Sequence, residues 1–156
     1  MCYFTAAYDA ENRLYSISYT SGVVNKIRYY YSGDGFLAQT KVYQNSTLTD
    51  DTRYIRAGYL PIQERNSSNS VTREYNWGLN MGGGIGGLLN LKQSGSNYSY
   101  LYDGKGNVTA LLNSSQSLAA TYTYDPFGNL LAKTGTLNQP FQFSTKPYIN
   151  TKGVRS

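Results

Sequence analysis

Hydrophobic and polar positions alternate along this chain over short stretches that are separated by polar turns. Residues 14–19 read LYSISY, which places Tyr15, Ile17 and Tyr19 on one face of an extended strand. Turn signals return at a spacing of roughly 8–12 residues, and no segment keeps a helical period. The pattern therefore predicts an all-β chain of short antiparallel strands.

A tyrosine also returns at nearly constant spacing. Its successive steps are 23, 23, 21, 27 and 22 residues, and the series is Tyr8, Tyr31, Tyr54, Tyr75, Tyr102 and Tyr124. A fixed period in the twenties is typical of arrays built from one small supersecondary unit. Each period holds two strands and two turns, so we expect an antiparallel β-hairpin array with a repeat of about 22 residues. Tyrosines on neighbouring strands are expected to stack into ladders.

The tyrosine opens a turn that has the same chemistry in several periods: YDAENRL at 8–14, YSGDGFL at 31–37, YDGKGNV at 102–108 and YDPFGNL at 124–130. An Asp after the Tyr can accept hydrogen bonds from backbone N–H groups two residues on, which fixes a turn. Glycine, or Asn12 in the first period, stands where a positive φ is needed. The predicted structural residues of the repeat are Tyr8, Asp9, Tyr31, Gly35, Tyr102, Asp103, Gly106, Tyr124, Asp125 and Gly128.

Composition narrows the choice of function. The chain has 156 residues, of which 17 are Tyr and 5 are Phe, and Tyr suits a sheet that is half buried and half wet.

We expect the array to span residues 1–147, followed by a short C-terminal tail at 148–156. The run at 81–89, MGGGIGGLL, is expected to be a loop or bulge inserted in the array.

Charge and rare residues exclude several classes of site. The 14 Lys and Arg residues against 9 acids give a net charge of +5, but they are scattered singly, which favours solvated strand positions over a nucleic-acid patch. The chain has no His, so the usual general base and the commonest metal ligand are missing. The single Cys2 cannot form an internal disulfide. Neither a membrane span nor a signal peptide is recognisable. No catalytic residue, cofactor or metal site is predicted.

Three further features allow a chemical interpretation. Glycines at 82, 84 and 87 satisfy G-x-G-x-x-G, but a short strand and a turn follow them instead of the helix that a dinucleotide site needs. Asp9, Asp103 and Asp125 recur identically, as turn caps do; an aspartyl dyad would need two acids brought close together. Trp77 could contact a sugar ring, although a core anchor is the favoured reading.

The turns and the motifs around them resemble the Rhs (rearrangement hotspot) or YD-repeat family. The order of motifs matches the Rhs repeat-associated core region: WGLN at 77–80, GIGGLLNL at 84–91, YLYDGKGNVTALLN at 100–113, YTYDPFGNLL at 122–131 and FQFSTK at 141–146. The resemblance covers about residues 3–147. It implies a curved segment of a β-ribbon that spirals into a hollow shell, of the kind that encloses a toxic segment in bacterial toxin complexes and polymorphic toxins.

The family's bacterial members continue past FSTK to a Tyr-rich stretch and to aspartates that cut the toxin free, whereas this chain reads PYINTKGVRS and stops. The resemblance thus implies a non-enzymatic piece of shell wall, truncated before the self-cleavage motif. Its unpaired strand edges are expected to self-associate or to pair with other segments of an Rhs protein. A toxin is a further partner that the family implies. Family members are secreted or carried at the cell surface, but nothing in this chain fixes a compartment.

Two other functions stay open on the sequence. A carbohydrate- or cell-surface-binding module would use the Tyr-rich face and Trp77. A residual aspartyl-type self-cleaving protein would use the repeat aspartates. The first predicts glycan binding that is lost on Trp77→Ala, and the second predicts an internal cut in the purified chain.

Overall fold

A computed structural model of the chain describes residues 4–20, 24–78 and 87–148. These residues form twelve β-strands and one 3₁₀ turn at Phe143–Thr145, with no α-helix in the described ranges. The strands are β1 Phe4–Tyr8, β2 Leu14–Tyr19, β3 Val24–Tyr31, β4 Leu37–Gln44, β5 Thr47–Ala57, β6 Leu60–Arg65, β7 Val71–Trp77, β8 Leu88–Gln93, β9 Ser96–Tyr102, β10 Val108–Asn113, β11 Leu118–Tyr124 and β12 Leu130–Thr134. The prediction of an all-β hairpin array is confirmed.

Within each of two units of the chain, the strands pair antiparallel with their neighbours in sequence. The chain divides into two compact units, the first ending at Val71 and the second beginning at Thr72. Strand order follows chain order in both, from β1 to β6 in the first unit and from β7 to β12 in the second. Among the described residues, β1 pairs with β2 alone in the first unit and β12 pairs with β11 alone in the second, so each unit has one strand with an unpaired edge.

Two kinds of turn join the strands. Asn45–Ser46 and Ser94–Gly95 are two-residue connections in which both residues have positive φ, between 47° and 78°. Such turns match the right-handed twist of the strands that they join. The other kind is a five-residue turn that follows the repeat tyrosines. It leaves a register shift at the base of its hairpin, as in the pairing of Tyr8 with Leu14 and of Tyr31 with Leu37.

The first unit has a thin core. Ile27 and Tyr29 are its buried apolar residues among the part of the chain that is described. They share one face of β3 with the half-buried Tyr31, as the alternation predicts. The half-buried residues packed around them are Leu14, Ile17, Tyr19, Tyr31, Leu37 and Val42.

The second unit has a larger core, to which the segment after β12 contributes. The buried residues of this cluster are Tyr75, Leu88, Leu91, Tyr100, Val108, Leu111, Ala120, Tyr122, Leu137 and Phe141. Leu137 and Phe141 belong to no strand, so residues 137–147 lie against the repeat without forming part of it. We call residues 137–147 the C-terminal segment.

The glycine run of the sequence lies mostly outside the described residues. Of the predicted insertion at 81–89, the structure describes only Gly87 and the start of β8. The N–H of Gly78 donates to the carbonyl of Gly87 at 2.7 Å, which brings the two ends of this stretch together. Cys2 and most of the predicted tail at 148–156 also lie outside the described ranges.

Candidate functional site: the tyrosine turns and the C-terminal segment

Asp103 fixes the turn between β9 and β10. Its Oδ1 accepts the backbone N–H groups of Lys105 and Asn107, each at 2.9 Å, and its Oδ2 accepts the side-chain amide of Asn107 at 2.7 Å. The N–H of Gly106 donates to the Asp103 carbonyl at 3.1 Å. The carboxylate therefore satisfies two backbone donors of the turn and the side-chain amide of Asn107, which is the role that an Asx turn gives to Asp.

The same geometry returns at Asp125 and at Asp9. Asp125 accepts the N–H groups of Phe127 and Asn129 at 2.8 and 2.9 Å. Asp9 accepts those of Glu11 and Arg13 at 3.1 and 2.8 Å. The three carboxylates are thus bound within their own turns. In the turn at 32–36 Ser32 replaces the Asp, and its hydroxyl, which has one proton to donate, lies within hydrogen-bond distance of both the Asp34 carboxylate and the Phe36 carbonyl.

The fourth residue of each turn has a positive φ. The angles are 84° at Gly35, 77° at Gly106 and 89° at Gly128, and Asn12 takes the same place with 60°. Glycine adopts this region without steric cost, and Asn tolerates it better than other side chains. The structure thus places the repeat glycines where the turn requires them.

Two turns of this kind have no tyrosine before them. Asn66 accepts the N–H groups of Ser68 and Ser70 at 3.0 and 2.9 Å, and Asn113 accepts those of Ser115 and Ser117, both at 3.0 Å. The sequence interpretation missed both because it searched for Tyr followed by Asp. The available signal was an Asn that begins a run of small polar residues.

Hydrogen bonding keeps the repeat aspartates ionised. The side-chain bond from Asn107 lowers the pKa of Asp103, and bonds from backbone N–H groups add to the effect. The side-chain bond from Asn129 lowers the pKa of Asp125 in the same way. At Asp9, burial acts in the opposite direction, but the bonds and the charge of Arg13 outweigh it and leave the pKa lowered. A hydrogen bond to the charged form favours that form.

The repeat tyrosines connect each period to the one before it. Tyr31 donates its hydroxyl to the carbonyl of Leu14 at 2.9 Å, and Tyr124 donates to that of Val108 at 3.0 Å. Tyr102 donates to the carbonyl of Leu88. In each case the acceptor is the first residue of the preceding strand. The hydroxyl therefore satisfies a carbonyl that the bulged hairpin leaves without a ladder partner.

Burial raises the pKa of these phenols. The pKa of Tyr102 rises to about 12, and that of Tyr124 is raised further by the same cause. The neutral hydroxyl, which donates to the carbonyl, is therefore the form that the fold favours.

Arg56 takes the place of the tyrosine in the degenerate middle period. Its Nε donates to the carbonyl of Leu37 at 2.8 Å, and its Nη1 donates to that of Tyr59 at 2.7 Å. Tyr54, which the period predicts for this role, instead meets Thr40, whose hydroxyl donates to it at 3.4 Å. The structural period therefore passes through Arg56, two residues after the tyrosine.

The tyrosine stacks run along strands. Tyr100 and Tyr102 stack with their ring centroids 6.2 Å apart, and Tyr122 and Tyr124 stack at 6.4 Å. Both pairs are two residues apart on one strand, whereas the sequence interpretation expected stacks between neighbouring strands. Residues i and i+2 share a face, so the same alternation accounts for these pairs.

Aromatic contacts hold the C-terminal segment on the second unit. The Phe141 ring meets Tyr75 edge-on at 5.1 Å and Trp77 at 5.5 Å. Phe143 meets Tyr124 at 5.7 Å. Trp77 is half-buried and packs in this cluster. Its proposed contact with a sugar remains a prediction.

Polar contacts fix the same segment on the turn at 103–107. Asn107 accepts the N–H of Ser144 at 2.8 Å, while the Thr145 hydroxyl donates to the Gly106 carbonyl at 2.8 Å. The N–H of Val108 donates to the Gln142 carbonyl at 3.2 Å. A residue of the repeat turn, Asn107, therefore holds both the turn and the segment.

Gln139 supplies the buried polar contact of the segment. Its Oε1 accepts the Tyr100 hydroxyl at 3.0 Å and the N–H of Phe141 at 2.7 Å, and its Nε2 donates to the Phe141 carbonyl. Because a buried amide must be hydrogen-bonded, this network fixes how the segment lies on the core.

The described residues hold no group of three or more Cys, Asp and Glu side chains that could bind a metal ion. None of their helices has the length and apolarity of a membrane span. Asp9, Asp103 and Asp125 bind the backbone of their own turns, and Tyr31, Tyr102 and Tyr124 bind the backbone of the preceding strand.

Comparisons with known proteins agree with this architecture. Residues 102–138 match the family described as RHS Repeat. Over 126 residues the chain is 30% identical to the tRNA3(Ser)-specific nuclease WapA of Bacillus spizizenii, an alignment that covers 81% of this chain and 5% of that protein.

Solved structures share the fold. A crystal structure of TcdB2-TccC3-Cdc42 matches with a TM-score of 0.69 at 13% identity, and one of TcdB2-TccC3 with 0.66 at 16%. The Tc holotoxin pore of Photorhabdus luminescens, with a variant of TccC3, matches with 0.63 at 15%. Each match covers 92% of this chain and 8% of the other. These matches show that the chain shares the fold of the TcdB2-TccC3 structures, and the family match shows an RHS repeat at 102–138.

Proposed function

We propose that the chain is a non-enzymatic wall segment of an Rhs/YD-repeat shell, of the kind that encloses polymorphic toxins. The observation that carries the proposal is the use of the repeat side chains. The carboxylates of Asp9, Asp103 and Asp125 accept hydrogen bonds within their own turns. Carboxylates used in this way fix the shape of the turns, as the residues of a wall do.

The electrostatics support the same conclusion. An aspartyl dyad works because two neighbouring carboxyls share a proton, so that the pKa of one is raised. Here the pKa values of Asp9, Asp103 and Asp125 are all lowered, and each carboxylate belongs to a different turn. Three anions held by local donors are suited to capping and poorly suited to proton transfer.

The test is an activity assay on the purified chain. Because one relative is named a tRNA nuclease, tRNA is the substrate to offer, and self-cleavage is followed by the mass of the intact chain. We expect neither tRNA cleavage above a buffer control nor an internal cut. Cleavage that disappears in Asp103→Asn or Asp125→Asn, and persists in the control Asp50→Asn, would overturn the proposal.

A further inference from the structure

One hydrogen bond recurs at four places in the array, where a hairpin meets the next strand. The carbonyl of the first residue after a turn or connection accepts a side-chain donor from the following part of the array. The four pairs of acceptor and donor are Leu14 with Tyr31, Leu37 with Arg56, Leu88 with Tyr102, and Val108 with Tyr124.

The same four places share one strand register. The residue two positions after the acceptor always lies opposite the residue three positions before the donor. The resulting pairs are Ser16 with Arg28, Gln39 with Arg53, Asn90 with Ser99, and Ala110 with Thr121. The rule holds for Arg56 as well as for the tyrosines, so it belongs to the backbone geometry and not to one residue type.

At β12 the acceptor of this hydrogen bond is present, but the described residues supply no donor for it. Leu130 follows the turn at 125–129 and lies opposite Tyr124, as Val108 lies opposite Tyr102. Its backbone groups therefore point away from β11, since both groups of one residue in an antiparallel strand point to the same side. All five residues of β12 are exposed.

At β1 the side-chain donor of this hydrogen bond is present, but the described residues supply no acceptor for it. Tyr8 precedes the turn at 9–13, as Tyr31 and Tyr124 precede theirs, but its side chain is 60% exposed. Its hydroxyl has no hydrogen-bond partner in the described ranges. The other residues of β1 are also exposed, including Phe4.

We propose that β12 of one copy pairs with β1 of a second copy, with the Tyr8 hydroxyl donating to the Leu130 carbonyl. The rule then sets Ala132 opposite Thr5, Leu131 opposite Ala6 and Lys133 opposite Phe4. No like charges meet in this register, and the exposed Phe4 ring gains the Lys133 side chain. The inference rests on the proposed function, because it extends the wall by the same hydrogen bond that holds its periods together.

The interface is heterologous, since β12 meets β1 and not itself. Head-to-tail contacts of this kind build rings when the rotation closes and open filaments when it does not. Strands of five residues make a small interface, so we expect association that depends on protein concentration. An unpaired strand edge is the ordinary site for such pairing.

Two single-cysteine variants test the register in a Cys2→Ser background. Residues directly opposite in an antiparallel pair have Cα atoms about 4.5–5.5 Å apart, within the range that a disulfide spans. Thr5→Cys mixed with Ala132→Cys is expected to give a disulfide-linked dimer on mild oxidation. Either variant alone is expected to stay monomeric on a non-reducing gel. Ala6→Cys mixed with Ala132→Cys is the control, because Ala6 points to the other face.

Sedimentation of the unmodified chain is the second measurement. Tyr8→Phe keeps the ring and removes the hydroxyl, so it should weaken association by roughly two- to tenfold, the worth of one net hydrogen bond. Tyr15→Phe, an exposed tyrosine on β2, is the control and should change nothing.

A chain that stays monomeric at every concentration would overturn the inference. So would cross-linking of Thr5→Cys with itself, or association that ignores Tyr8→Phe and the cysteine register. These failures are separate from that of the proposed function. If the chain is monomeric and cuts no tRNA, only the proposed pairing of β12 with β1 is wrong. If the chain cuts tRNA and still forms the mixed dimer, only the proposed non-enzymatic function is wrong.

Discussion

In the described part of the first unit the buried apolar residues are Ile27 and Tyr29, whereas the second unit buries ten in one cluster. Both units use the same turn and the same bond from a side chain to a strand-start carbonyl. The C-terminal segment accounts for part of the difference, because it adds Leu137 and Phe141 to the second core, while the other eight residues of that core come from the strands. The comparison shows that the repeat sets the strand geometry, and that a segment outside the repeat completes the dry core.

Removing the Phe141 ring is the strongest test of that difference. Phe141→Ala should cost about 3–5 kcal/mol of unfolding free energy, because it leaves a cavity against Tyr75 and Trp77. Phe127→Ala is the matched control, since Phe127 is 89% exposed and its loss should stay within about 0.5 kcal/mol. Urea unfolding of the intact chain measures both. If the two variants cost the same, the segment is not a part of the core.

A glycine pair compares the two units at one turn position. Gly128 and Gly35 have nearly the same φ, 89° and 84°. A Cβ at Gly128 would lie 2.8 Å from the Phe143 ring, whereas one at Gly35 meets nothing within 4 Å. Ala at Gly35 should cost about 1–2 kcal/mol from backbone strain alone. Ala at Gly128 should cost about 1–3 kcal/mol more, because the ring must move.

Thermal or urea unfolding of Gly35→Ala and Gly128→Ala measures how much unfolding free energy each variant loses. Equal losses of unfolding free energy would mean that the Phe143 ring moves aside at no cost and that the C-terminal segment packs loosely on the turn. A larger loss at Gly128 would place the segment firmly on the turn.

The sequence predicts most of the turns because their chemistry is local. Asp103, Gly106 and Asn107 lie within five residues, and the strands beside them alternate regularly. The C-terminal segment could not be predicted in this way, since its bonds join residues as far apart as Tyr100 and Gln139. The role of Arg56 was also hidden, because a guanidinium and a phenol share only the ability to donate a hydrogen bond.

Variants of Asn107 and Asn129 distinguish the stability that comes from the turn from the stability that comes from its contact with the C-terminal segment. Both donate their side-chain amide to the Asp of their own turn, but Asn107 is buried and also accepts the N–H of Ser144. Asn107→Ala should therefore cost about 1–3 kcal/mol, because buried partners lose their bonds. Asn129→Ala is exposed and should cost about 1 kcal/mol or less. The unfolding midpoint and slope of each variant measure the difference, and a reversed order would contradict the role assigned to Asn107.

The smallest effect that we expect is a difference between the aspartates of the two units in how their contribution to stability depends on salt. Their dependence on pH is the same. The folded-state pKa values of Asp9 and Asp103 lie below the ordinary value of about 3.9. Their contribution to stability is thus complete above about pH 4 and is lost as the pH falls through the folded pKa.

The two carboxylates differ in their main side-chain partner, because Asp9 pairs with the charged Arg13 at 2.8 Å and Asp103 with the neutral Asn107. Salt screens an exposed ion pair, so the cost of Asp9→Asn should shrink at high ionic strength. The cost of Asp103→Asn should shrink less, because the charge of Lys105 is the smallest of the effects that lower the Asp103 pKa. Urea unfolding near neutral pH at two salt concentrations makes the measurement, and an equal salt response of the two variants would show that charge pairing does not distinguish the turns.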